Sequence, residues 1–154
     1  MNITVISVGK IKEKYFTAAI DEYSKRLSRF AKLNIIEVAD EKIPDNASEK
    51  EMEQIKEKEG NKILAKLPQN SFVVTLCIEG KEHSSEELAK KIADISMTSS
   101  HITFIIGGSL GLSNTVKSKS ALRLSFGKMT LPHQLMRVVL LEQIYRAFKI
   151  NNNE

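Results

Sequence analysis

Apolar and polar positions alternate from Ile3 to Val8 (ITVISV) and stop at Gly9, the period of a strand closed by a turn. Phe16, Ile20, Tyr23, Leu27 and Phe30 then recur at steps of four and three, which predicts a helix with one apolar stripe. Leu33 to Val38 (LNIIEV) predicts a second strand. In the charged stretch from Asp40 to Asn61, Ser48 precedes Glu51 by three residues, a capping box that opens a surface helix with Met52, Ile55 and Leu64 as its thin apolar face. Ser71 to Ile78 (SFVVTLCI) has the continuous apolar run of a central buried strand, and Ser84 with Glu87 caps a helix carrying Leu88, Ile92 and Ile95. HITFII predicts another strand. A short helix around Ser113 to Ser120, a brief strand LRLSF and a last helix with Pro132 in its first turn complete the chain.

Strands and helices thus alternate about five times, which implies an α/β layer fold with a mainly parallel sheet and helices on both faces. No repeat or linker interrupts the alternation, so residues 1–154 read as a single domain. The last helix carries Leu135, Met136, Val138 to Leu141, Ile144, Tyr145 and Phe148 around most of its circumference, and must be buried on more than one side.

Composition adds limits. With 42% hydrophobic and 27% charged residues the chain has the make-up of a globular protein, and MNITVISVGK is not the pattern of a secretory signal. Its apolar runs are far shorter than the roughly 20 residues that span a bilayer, so no transmembrane helix is expected. Cys77 is the single cysteine and sits in an apolar run, a small buried residue suited to a reducing cytoplasm. The net charge of +4 is unevenly spread: no Asp or Glu occurs from Ile95 to Leu141, where Lys117, Lys119, Arg123, Lys128 and Arg137 lie, while acids outnumber bases from Asp40 to Asp94. Such polarity points to a polyanionic partner such as nucleic acid. It is equally the pattern of a solvated basic face.

Candidate chemistry gathers after the central strands, because ligands of parallel sheets collect at the carboxyl ends of strands. Three loops qualify: Leu76 to Gly80, Gly107 to Leu112, and Phe126 to His133. Gly107, Ser109 and Gly111 match the Gly-x-Ser-x-Gly of a hydrolase nucleophile elbow, but that chemistry needs an acid and then a histidine downstream, and no acid lies between Ser109 and His133. Nor is it a phosphate loop, since the Lys-Ser/Thr of a Walker motif is absent. Consecutive glycines after a buried strand instead allow φ > 0 and let a ligand lie against the backbone.

FIIGGSLGLS, followed by LSFGKMTLPHQLMRVVLLEQIYRA, resembles the two knot loops and last helix of the SPOUT methyltransferases, and within them the ribosomal large-subunit methyltransferase H family. The resemblance runs through ITVISVGKIKEKY, IIEVADEK and IEGKEHSSEELA in the expected order. It implies an α/β fold with a C-terminal trefoil knot, an exception to the rule against knots. It further implies transfer of a methyl group from S-adenosylmethionine to N3 of a pseudouridine in 23S ribosomal RNA, in the ribosome, by a cytoplasmic homodimer that packs through the last helix. Cofactor contacts carry over to Leu76, Gly108, Gly127, Lys128, Met129, Thr130, Leu131 and Pro132. His133 and Arg137 are the catalytic candidates, with orientation of the loop an equally good role for His133; Lys117, Lys119 and Arg123 are the candidates for RNA phosphates, and no metal is implied. Family members usually continue past INNNE with a few residues including Pro, Tyr and His or Arg, a tail implicated in substrate contact and catalysis; either the sequence is shortened here or catalytic help comes from elsewhere. A rival from another class is a non-enzymatic basic α/β module that binds RNA or regulates, although no acidic cluster follows the first strand as a phosphoacceptor would need.

Overall fold

The computed structural model describes residues 1–154. The ITVISV alternation forms β1 (Asn2–Val8), and the stripe from Phe16 forms α1 (Lys14–Leu27). β1 is buried on both faces: its polar positions Thr4 and Ser7 lie inside with the apolar ones, and Thr4 Oγ1 sits 2.7 Å from Nε2 of His101. An alternating pattern can therefore belong to a central strand when its polar residues are small enough to pack. β2 (Lys32–Val38) follows, then α2 (Glu49–Ala65), whose Ser48–Glu51 capping box is formed.

β3 (Phe72–Glu82) runs four residues beyond the expected Ile78. Its ladder with the short β5 (Leu122–Ser125) shifts register, so that Leu124 lies opposite both Leu76 and Lys81. The intervening residues Cys77 to Gly80 bulge from the ladder before the strand resumes. Gly80 makes the second pairing possible, because a Cβ there would meet the Arg123 carbonyl oxygen at 2.7 Å. Between these strands come α3 (Ser85–Ser96), opened by the Ser84–Glu87 capping box, β4 (His101–Ile106) and α4 (Asn114–Ser118). Pro132 is the cap residue before α5 (His133–Asn151) rather than part of its first turn, with an extended ψ of 137°.

All pairings are parallel and the order is β2-β1-β4-β3-β5. Ile3, Val5, Ile102 and Phe104 pack with α1, α3 and α5 on one face, while Ile6, Val8 and Ile105 pack with Ile63 of α2 and Val116 of α4 on the other. The expected layers are present, with a fully parallel sheet. On α5, Leu140, Leu141, Ile144 and Ala147 are buried and the remaining apolar residues are half-buried. Phe30, just past α1, stacks on Phe148 of α5 with centroids 5.9 Å apart. No helix is long and apolar enough to cross a membrane.

Candidate active site

The bulge within β3, the loop after β4 and the loop between β5 and α5 enclose a cavity of about 760 Å³ towards the carboxyl ends of these strands. Its wall includes Leu76, Gly108, Gly127, Met129, Thr130, Leu131, Pro132 and His133, so the sheet brings together nearly all the positions expected to hold a ligand. Lys128 stands apart, exposed and outside the lining. Cys77 also lines the wall and is almost fully buried, which pushes its thiol pKa up.

Each loop is held by identifiable forces. After β4 the chain turns at once, with Gly111 N donating to the Gly108 carbonyl at 3.0 Å. Gly107 is required by this turn, since a Cβ there would lie 2.8 Å from the Gly111 carbonyl carbon. Gly111 (φ 85°) and Gly127 (φ 123°) take up the left-handed region, and from both the Cβ direction opens onto space free of protein atoms within 4 Å. The second loop is tied to the first through Ser125: its hydroxyl donates to the Ile78 carbonyl at 2.9 Å and accepts from Gly127 N at 3.1 Å. Ser125 is buried and is not among the residues that the sequence pattern marks, because a serine in a short strand carries no sign of a partner 47 positions away.

Gly108 corrects an expectation. Its φ is not positive, and its Cβ direction points inward, 3.2 Å from Val8 Cγ1 and 3.3 Å from Glu59 Oε1. The residue is glycine to let the loop lie on β1 and α2, rather than to leave room on the ligand side. Glu59 itself is buried, accepts from Glu41 N at 3.0 Å, and has its carboxyl pKa raised by that burial. Gly108→Val is therefore expected to lower stability by about 1–3 kcal/mol through overpacking, in addition to weakening ligand binding by displacing the loop. Thermal melting alongside calorimetry checks this; an unchanged melting temperature would show that the loop yields freely.

Arg137 is also differently employed from the catalytic role expected of it. It is buried at 3% exposure and absent from the cavity lining. Nη1 donates to Glu37 Oε2 at 2.6 Å, and Nη2 donates to the carbonyls of Val8 at 2.8 Å and Gly9 at 2.7 Å. Glu37 Oε2 accepts from Ile11 N as well, at 3.2 Å, and Gln134 Oε1 from Lys12 N at 3.4 Å. The first two turns of α5 are thus fastened to the end of β1 and the segment following it, through Gln134 and Arg137. His133, one turn earlier, is half-buried on the cavity wall; burial and then the Arg137 charge lower its pKa, while Asp40 opposes them, so the ring is neutral.

The three lysine and arginine candidates for RNA do not form one group. Lys119 and Arg123 are exposed, as is Lys128, whereas Lys117 turns into the cavity wall and donates to Glu79 Oε1 at 2.6 Å. Glu79 is the only carboxylate in the lining, and its engagement with Lys117 leaves none to orient His133 towards Ser109, so the hydrolase geometry is not assembled.

Comparison with known proteins agrees with this architecture. The family described as "Predicted SPOUT methyltransferase" matches residues 1–154. The ribosomal RNA large subunit methyltransferase H of Clostridium novyi is 62% identical over 100% of this chain and 98% of its own length, and that of Clostridioides difficile is 59% identical over the same shares. Among solved structures, the tRNA (m1G37) methyltransferase of Aquifex aeolicus superposes with a TM-score of 0.54 at 13% identity, covering 95% of this chain and 70% of that one. A methyltransferase from Legionella pneumophila, solved with bound SAM, gives 0.51 at 12% identity over 96% and 66%. At such identities the structures speak for the fold alone.

Proposed function

The chain belongs to the SPOUT methyltransferase family, and from that premise we propose that it is a ribosomal RNA methyltransferase, using S-adenosylmethionine to methylate N3 of a pseudouridine in 23S RNA of the large subunit. The observation that carries this reading is the three-loop cavity towards the carboxyl ends of β3, β4 and β5, in a chain that aligns end to end with relatives named as ribosomal RNA large subunit methyltransferases.

The cavity fits the cofactor. Its volume suits a nucleoside-sized ligand, its wall mixes apolar side chains with loop backbone, and Gly111 and Gly127 in that wall have no protein atom within 4 Å of where a Cβ would lie. Leu76, Met129 and Leu131 supply apolar contact for an adenine, and the backbones of the Gly108 and Gly127–Pro132 segments supply its polar partners. When bound, S-adenosylmethionine supplies a methyl group on a sulfonium, which a nitrogen anion can attack in line. The protein's part is orientation and proton removal: N3–H of pseudouridine must lose its proton as N3 bonds to the methyl carbon, and the released electron pair stays with the thioether sulfur. His133, neutral on the wall at the start of α5, is positioned to accept that proton, and Arg137 acts on it only through the fastening of α5.

The same reading takes in the rest of the expected assembly. Residues 1–154 act as one domain, the passage from edge strand β5 back to α5 over the central strands is threaded as a trefoil knot, and the half-buried apolar residues of α5 pair two copies in the cytoplasm.

Ribosomes lacking the modification, incubated with the protein and methyl-labelled S-adenosylmethionine, should yield label in 23S RNA that nucleoside digestion returns as N3-methylpseudouridine. Label on another nucleoside would change the substrate. Binding of FMN without S-adenosylmethionine in calorimetry would replace the enzyme by a regulatory module. The pH dependence has a definite sign: a lowered pKa keeps His133 unprotonated below the ordinary 6.5, so the acid limb of kcat/KM is expected below that value and should vanish in His133→Asn.

A further inference from the structure

Two lysines face the cavity from the α2 and α4 layer, and both are largely withdrawn from water: the side chains of Lys56 and Lys117 are each 21% exposed. Lysine gives up hydration at a cost unless an anion replaces the water. Each has one partner here, Lys56 with Glu53 at 2.6 Å and Lys117 with Glu79 at 2.6 Å, and an ammonium has three protons to give. Glu79 remains 58% exposed, with acceptor capacity beyond this single contact.

The corner is also rigid. A Cβ at Gly60 of α2 would come within 2.6 Å of Ser113 Oγ at the start of α4, and Thr115 of α4 donates to Glu57 of α2 at 3.1 Å. The helices that bear the two lysines are thereby fixed against each other. Elsewhere the wall is apolar side chain, loop backbone and the neutral His133, so every formal charge of the cavity is collected at this end.

We propose that Lys56, Glu79 and Lys117 form a subsite for an α-amino acid group, the zwitterionic end of the cofactor, taking its carboxylate on the two lysines and its ammonium on Glu79. This rests on the reading of the cavity as an S-adenosylmethionine site. The charge pattern suits that ligand end: the ammonium groups of Lys56 and Lys117 have protons left for a carboxylate and Glu79 has acceptor capacity left for the ligand's own ammonium, so each ligand charge meets one of opposite sign. A simple anion such as phosphate would instead be repelled by Glu79, and a nucleoside without the amino acid would leave the corner to water.

The test compares S-adenosylhomocysteine with 5′-methylthioadenosine, two neutral thioethers that differ in the amino acid end, by calorimetry on the full chain. The parent should bind S-adenosylhomocysteine at least about tenfold tighter, the scale of one or two charge-assisted hydrogen bonds. Lys56→Gln with Lys117→Gln, and separately Glu79→Gln, should shrink that preference several-fold while leaving 5′-methylthioadenosine affinity unchanged. A preference that survives in the double variant overturns the proposal, as does equal weakening of both ligands, which would make the pair a strut of the wall. Equal affinity of the parent for the two ligands would refute the subsite while keeping the cofactor reading; a parent that binds neither refutes both.

Discussion

Arg137→Met should lower the free energy of unfolding by about 2–4 kcal/mol, because it removes three charge-assisted hydrogen bonds from a buried position and leaves the Val8 and Gly9 carbonyls without their donor. Methionine keeps most of the apolar stem's packing, so the loss reports the guanidinium head. Arg137→Lys should recover only part of it, since one ammonium cannot present the fork that reaches Glu37 and two carbonyls together. The Arg137→Met change also frees the segment after β1 from the first two turns of α5, and with it the placement of His133 and Met136 on the cavity wall. Cofactor affinity should therefore fall in Arg137→Met and recover in step with stability in Arg137→Lys. Urea unfolding of the parent and the two variants decides the matter. If the Arg137→Met protein unfolds within about 0.5 kcal/mol of the parent, the clamp carries no weight and the guanidinium is available for substrate after all.

The elements legible in the sequence were those written in local periods. The Phe16-to-Phe30 stripe, the Ser48 and Ser84 capping boxes and the apolar run before Cys77 each encode their structure within a turn or two, and each appears in place, except that α1 ends at Leu27 and Phe30 packs from the turn beyond it. The cavity was legible for the same reason: its loops follow strands whose apolar runs announce them. What could not be read are pairings across the sheet. Arg137 finds Glu37 from 100 positions away, and Lys117 finds Glu79 from 38, so one basic stretch holds a structural clamp, a cavity wall and a free surface. The extension of β3 to Glu82 depends on a bulge that only the register with β5 creates. Gly108 looked like a ligand-side glycine because sequence shows that a side chain is missing, not in which direction it would have pointed.

That division of the basic stretch sets the other large effect, on RNA. Lys119, Arg123 and Lys128 are exposed and have no carboxylate within ion-pair distance, so they are the cations free to displace counterions from phosphates. Changing all three to Glu should weaken binding to 23S RNA about a hundredfold at moderate salt and flatten the slope of log affinity against log salt by about two to three units. Cofactor affinity should stay as in the parent, because Lys119, Arg123 and Lys128 lie outside the cavity lining. Lys117→Gln separates this surface from its neighbour: its ammonium is held by Glu79 inside the wall, so the RNA salt slope should not change. Both ligands are to be measured at two salt concentrations for the parent, the triple variant and Lys117→Gln. A normal slope in the triple variant would move the RNA surface elsewhere, and Arg146, engaged with Glu142 at 2.5 Å on the exposed side of α5, would have to exchange that partner to provide it. A flattened slope in Lys117→Gln would mean that RNA reaches the cavity wall and opens the Glu79 pair on arrival.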